Sequence, residues 1–178
     1  MELKGYTTGG FDRGASKWKE VLWFLARFVF FANALPWPSA LRVALLRFFG
    51  ATVGQRVVVR SHVNITFPWR LRVGDDVWLG DDVFILSLAP VVIESSVCIS
   101  PRAFLCTGSH YFHSPGFDLV TKPIIVHRGS WIAAQAFVAP GIEIGPNSMV
   151  CAGSVVLQNV PPGAVVRGNP ACEQPSQV

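Results

Sequence analysis

Val126-His127-Arg128-Gly129-Ser130-Trp131-Ile132-Ala133-Ala134-Gln135-Ala136-Phe137-Val138-Ala139-Pro140-Gly141-Ile142-Glu143-Ile144 is the stretch that decides the fold. An aliphatic residue returns every six positions, at Val126, Ile132, Val138 and Ile144, and the series runs on through Val150 and Val156. Two places before the later five stand Ser130, Ala136, Ile142, Ser148 and Ser154, all small or compact. A period of six belongs neither to a helix nor to the plain alternation of an open sheet. It contains a local alternation, because both of these phases point inward. Short strands joined by tight corners at hexapeptide spacing mark a parallel β-helix.

Working backward, the same phase appears in three blocks. Ile93, Ile99 and Leu105 form one, with Val97 and Ala103 as inward partners; Val73, Leu79 and Ile85 form another, with Val77 and Val83. Val53, Val59 and Ile65 form the third, with Val57 and Val63. The phase slips by two residues across Phe67-Pro68-Trp69 and again around Ala89-Pro90. Gly74-Asp75-Asp76 and Gly80-Asp81-Asp82 read as turns, where Gly and Asp tolerate positive φ, and Gly145 with Pro146-Asn147, and Gly129 or Gly141, mark points where the backbone bends. The pattern implies a narrow triangular prism whose stacked coils each bury the face a neighbour cannot. An ordinary sandwich of short strands would not hold one period over this length. The expected class is all-β: a solenoid over residues 51–171, an N-terminal segment over 1–50 and a tail over 172–178.

The chain has 178 residues, 51% of them hydrophobic and 15% charged, with a formal net charge of +4. That is one domain with a sizeable core, and its apolar excess points to surface hidden in an oligomer or against a membrane. The basic balance suits an anionic partner, but no aromatic-basic stripe or nucleic-acid motif accompanies it. Cys98, Cys106, Cys151 and Cys172 show neither a C-x-x-C spacing nor a disulfide framework. Cys98 and Cys106 read as small buried hydrophobes inside the repeat. Met1 to Lys19 is polar and Gly-rich, unlike a cleavable signal peptide, so a reducing cytoplasm is expected.

Trp18 to Phe49 carries no hexad. An apolar run through Phe31 is interrupted by Arg27, and Pro36-Trp37-Pro38 then breaks the chain. Ser39 is the expected cap of a second helix containing Leu41, Leu45, Leu46 and Phe49, with Gly50 as its stop. The first run is shorter than the ~20 apolar residues that span a bilayer. Two readings stand. The helices pack on the prism or a neighbouring subunit, or they form a peripheral membrane anchor on the inner face of the membrane. Trp and Phe beside Lys17, Lys19, Arg27, Arg42 and Arg47 suit a headgroup boundary.

The longest break in the hexad lies between Leu105 and Val126 and holds Cys106-Thr107-Gly108-Ser109-His110, followed by a loop over 111–123. Loops displaced from a rigid scaffold commonly carry function. His110 stands at the junction of scaffold and loop, whereas His113 is within the loop and His62 and His127 occupy outward repeat positions.

Here the residues resemble the hexapeptide-repeat O-acetyltransferases, nearest to those of colanic acid biosynthesis and beside the maltose, galactoside and nodulation enzymes. The likeness rests on Thr107-Gly108-Ser109-His110, Ser114-Pro115-Gly116-Phe117-Asp118-Leu119, Trp131 to Gly141, Ala152-Gly153-Ser154-Val155-Val156 and Gly168-Asn169-Pro170-Ala171. Phe48-Phe49-Gly50-Ala51 and Ile65-Thr66-Phe67-Pro68-Trp69 extend it, so that it covers roughly Leu41 to Ala171. The resemblance implies a left-handed β-helix, a homotrimer, acetyl-CoA as donor and a saccharide or lipid-linked saccharide as acceptor, in exopolysaccharide or glycolipid assembly. No metal is implied.

By the same resemblance, His110 is the general base. A sugar hydroxyl is scarcely ionised at neutral pH, and histidine titrates near the working pH. Trp131 and Ala134 match positions beside the pantetheine arm, with Ala152 and Gly153 on the next coil; repeat packing is the competing reading of all four. Ser87 stands where relatives often have an acceptor-orienting Asn. Asp118 is a candidate acceptor contact or a solvated loop carboxylate. Leu157-Gln158-Asn159 replaces the usual Thr-Lys-Asp, and Cys172-Glu173 stands where a basic residue commonly follows Asn-Pro-Ala. Arg167 is the remaining candidate for the CoA phosphates.

Two rivals follow. A γ-carbonic-anhydrase-like enzyme on the same prism needs three imidazoles converging on zinc, and His62 and His127 do not share the phase of His110 and His113. A non-catalytic β-helix scaffold is favoured by the missing phosphate-side charges and opposed by the intact Thr107-to-His110 motif.

Overall fold

Strands of two to four residues cannot persist alone, and here those of the inner coils are bonded to strands one coil above and below. The computed structural model describes residues 4, 6, 8–33 and 35–175. Within them the hexads wind into a parallel β-solenoid of about six turns. The first face stacks Thr52–Val53, Leu71–Val73, Val91–Ile93, Ile124–Val126 and Glu143–Ile144. The second stacks Val58–Val59, Trp78–Leu79, Cys98–Ile99, Trp131–Ile132, Met149–Val150 and Val165–Gly168, and ends in an antiparallel return, Ala171–Glu173. The third stacks Asn64–Ile65, Phe84–Leu86, Phe104–Cys106, Phe137–Val138 and Val155–Val156.

Both inward phases are buried as the period requires, from Ile65, Ile85, Leu105, Ile132 and Ile144 to their partners Val63, Val83, Ala103 and Ala136. Ser130, Ser148 and Ser154 are buried too. Ser130 and Ser148 satisfy their hydroxyls on the Gly145 carbonyl, so a polar atom enters the core without being orphaned. Cys98 departs from its expected place: it sits on the outward phase and is half-buried, while Cys106 is buried.

The corners follow the expectation at their Asp residues and depart from it at Gly74 and Gly80. Three places before each core aliphatic, the first edge (faces one to two) and the second (faces two to three) place a residue in the left-handed region. Asp76 (φ 57), Asp82 (φ 58) and Asn147 (φ 55) take it, as do Arg56 and His62. The neighbouring glycines are needed for space instead. A Cβ on Gly74 would meet the Ser95 amide nitrogen of the next coil at 2.6 Å, and one on Gly145 would meet Pro162 N at 2.6 Å.

The third edge, from face three back to face one, holds every irregularity in coil length. Thr52–Val53 pairs with Arg72–Val73, which pairs with Val92–Ile93, a step of 20 residues. The extra residues lie in the 3-10 turn Pro68–Arg70 and around Ala89-Pro90. After the break, Ile125–Val126 pairs with Glu143–Ile144 at the shorter step of three plain hexads. The break itself is an antiparallel hairpin, Gly108–His110 against Leu119–Thr121, and so begins earlier than the expected loop.

Two helices close the first coil. Helix α1, Lys17–Phe30, is capped by Ser16, whose hydroxyl accepts from Lys19 N. Helix α2, Ser39–Phe48, starts one residue before the expected point, with Pro38 in the capping position. The Ser39 hydroxyl instead accepts from Val59 N at 2.8 Å and ties α2 to the second face. Trp23, Phe31 and Phe49 form an aromatic cluster, with centroids 5.4 and 5.2 Å from Trp23. Trp23 Nε1 donates to the Ile65 carbonyl, and buried Arg42 donates to those of Phe30 and Val59. The packing reading of this segment therefore holds for its inner side. Among the described residues no helix is long and apolar enough to cross a membrane.

Candidate active site

The hairpin on the third edge is anchored at its base by Thr107. This fully buried side chain donates to the Leu86 carbonyl and accepts from Ala89 N, so the break is pinned to the coil before it. The tip, 111–118, closes on the Tyr111 N–H to Asp118 carbonyl bond at 2.9 Å and on a positive φ of 51 at Phe117. That turn brings the Phe117 carbonyl back over His110.

His110 Nδ1 lies 2.8 Å from the Phe117 carbonyl oxygen. A carbonyl only accepts, so Nδ1 carries a proton, and in the neutral imidazole the lone pair is then on Nε2. The imidazole also lies flat on the Phe117 ring, centroids 4.2 Å apart and planes 3° from parallel, and the Tyr6 ring meets it edge-on at 5.6 Å. One residue thus supplies both a hydrogen bond and a stacking surface to the histidine. Phe117 belongs to the motif read from sequence without a role assigned to it there. Tyr6 was not singled out, because more than a hundred residues separate it from His110 and no periodicity marks it.

Ser87 departs from its expected role. It is fully buried, its hydroxyl donating to the Phe67 carbonyl at 3.0 Å and accepting from Phe67 N at 2.8 Å. With both functions spent on the preceding coil and no exposed surface, it fixes the Phe67 corner and does not reach an acceptor. Asp118 is exposed on the hairpin and accepts from the Ser114 hydroxyl.

The remaining candidates lie elsewhere. Ala134 and Gly153 are neighbours on the second edge, where Gly153 N donates to the Ala134 carbonyl at 2.9 Å. Ala152 and Gly153 are exposed, and Arg167 follows one coil later, exposed on the last parallel strand of face two. Trp131 stands out from the same face, Nε1 donating to the Ser100 hydroxyl at 2.8 Å. These residues form a row along the second edge, whereas His110 sits on the third. Leu157 and Gln158 are exposed, and Asn159 accepts from Glu143 N, so none of the three places a cation there.

The histidines are not brought together. His62 faces Asp82 at 3.8 Å, and His127 lies between Glu94 at 3.2 Å and Glu143 at 4.0 Å. Among the described residues no group of three or more His, Cys, Asp or Glu side chains could hold a metal ion.

No protein-family model matches the chain. It is 39% identical over 171 residues to the putative colanic acid biosynthesis acetyltransferase WcaF of Escherichia coli (strain K12), covering 96% of this chain and 94% of that one. It is 28% identical over 132 residues to the galactoside O-acetyltransferase of the same organism, covering 72% and 65%. Among solved structures, a hexapeptide-repeat acetyltransferase of Vibrio cholerae O1 biovar eltor, complexed with acetyl-CoA, superposes with a TM-score of 0.84 at 27% identity over 100% of both chains. The solenoid matches the left-handed β-helix of these enzymes. With that identity running almost end to end on the same scaffold, the chain belongs to the hexapeptide-repeat acetyltransferases, in the group of the colanic acid biosynthesis enzymes.

Proposed function

We propose that the protein transfers an acetyl group from acetyl-CoA to a hydroxyl of a saccharide in cytoplasmic exopolysaccharide or glycolipid assembly, with His110 as general base. The observation that carries this is the 2.8 Å bond from His110 Nδ1 to the Phe117 carbonyl, which in the neutral imidazole leaves the lone pair on Nε2. In this reading Nε2 takes the hydroxyl proton as the oxygen attacks the thioester carbonyl. The tetrahedral adduct expels the CoA sulfur, which recovers that proton from the imidazolium. The Phe117 carbonyl also faces the imidazolium that forms in between.

His110 on the third edge and the Trp131–Ala134–Gly153–Arg167 row on the second support a homotrimer, in which the second edge of one copy meets the third edge of the next. The exposed Trp78 and Trp131 on face two supply apolar surface for such a contact. Names of relatives support the saccharide acceptor and the pathway.

Acetyl-CoA turnover against a panel of sugars tests the reading. His110→Ala should lower kcat by about 10²–10⁴-fold with thermal stability unchanged. Near-normal kcat in that variant overturns the assignment. The missing cations at Gln158 and at Cys172-Glu173 favour the scaffold alternative, and a calorimetric titration tests it: saturable CoA heat supports the enzyme, no heat supports the scaffold.

A further inference from the structure

Among the described residues nothing covers the outer face of helix α1. Its exposed residues, apart from Lys17 at the start, are Trp18, Val21, Leu22, Phe24, Leu25, Phe28 and Val29, all apolar. Trp18 is 79% exposed, Phe28 67% and Phe24 57%. A helix resting on a soluble domain ordinarily turns charged residues outward. Here the polar members Glu20 and Arg27 sit on the sides, against Arg13 and Asn64.

The charge distribution identifies the occupant. Residues 1–50 contain seven Lys and Arg against three Asp and Glu, while residues 51–178 contain eight of each. The whole formal charge of +4 therefore resides in the segment that carries the apolar face. An apolar stripe with Trp and Phe, bordered by cations and too short to span, has the chemistry of a helix lying in an anionic lipid interface. Its position agrees: α1 lies against the first coil, where Trp23 Nε1 donates to the Ile65 carbonyl and Arg27 to the Asn64 side chain.

We infer that α1 docks the protein on an anionic lipid bilayer, with Trp18, Leu22, Leu25 and Phe28 in the interface and Lys17 among the headgroups. His110 follows two coils above the first, roughly 10 Å of solenoid rise at strand spacing. The base thus works close to the bilayer, where a glycan carried on a lipid presents its hydroxyls. That last consequence rests on the proposed acetyl transfer; the docking does not.

The test is co-sedimentation of the full chain with vesicles of phosphatidylglycerol and phosphatidylcholine, beside vesicles of phosphatidylcholine alone. Binding to the anionic vesicles, weakened by high salt and by Lys17→Glu, is expected. L22D combined with F28D should lower partitioning roughly 100-fold with an unchanged melting temperature, both side chains being exposed. His110→Ala should bind as the native chain does, so failure of catalysis and failure of docking are separable. If the double variant does not fold, quenching of Trp18 by brominated lipid, lost in Trp18→Phe, supports docking in its place. A native chain that stays in the supernatant overturns the inference. So does a double variant that folds and binds undiminished, or one that lowers the mass of the assembly while no vesicle binding occurs.

Discussion

At the scale of single residues, His110 shows how far a motif carries. The histidine at the scaffold-to-loop junction was legible, because it marks where a strict period fails. Its orienting group was not, since a backbone carbonyl has no letter in the sequence; only the turn at Phe117 brings it within 2.8 Å. Ser87 shows the opposite case. The family resemblance implies a role in orienting the acceptor, yet its depth turns the hydroxyl to the Phe67 backbone. The thiols give a residue-level prediction. Burial pushes the Cys106 thiol up from its ordinary value, and Cys151 is buried, while Cys172 is exposed. Only thiolate reacts, so near neutral pH a chromogenic disulfide should label Cys172 fast and Cys106 and Cys151 slowly. Cys172→Ser should abolish the fast phase and Cys106→Ser should leave it intact, as followed by stopped absorbance kinetics.

At the scale of the element, the hexad fixed the core and the strand positions while leaving the corners open. Periodicity reports which residues face inward; it does not report how closely one coil approaches the next. Residue type alone marks Gly74 and Asp76 alike as tolerant of positive φ, but Asp76 takes that conformation and Gly74 makes room for Ser95. The two roles predict different tolerance. Gly74→Ala should cost about 1–3 kcal/mol, because a backbone amide stands where the methyl would go. Gly163 has a φ of 71, open space around it and the same edge position as Asn147, so Gly163→Asn should stay within about 0.5 kcal/mol. Thermal unfolding separates them, at roughly 2–4 °C per kcal/mol for a chain of this size. The hairpin was visible as a break in the count, but its strand pairing was not, since Gly108–His110 alternates weakly and all of Leu119–Thr121 is half-buried.

At the scale of the whole molecule, the apolar excess has two destinations: the outer face of α1, and the exposed Trp78 and Trp131 on face two. The second belongs to the proposed assembly, so light scattering should give a solution mass of three chains, and Trp131→Asp should lower it with the solenoid intact by circular dichroism. A single-chain mass for the native protein would leave the second-edge row without a base. The unequal coils carry a different lesson. Faces one and two, and the two edges that bound face two, keep a constant count, while the edge holding His110 absorbs two extra residues twice and then a whole hairpin. Insertions there leave the stacked core in register. Lineages on this scaffold are thus free to reshape the pocket wall at the base without renegotiating the fold, and new acceptor preferences should arise by lengthening that one seam.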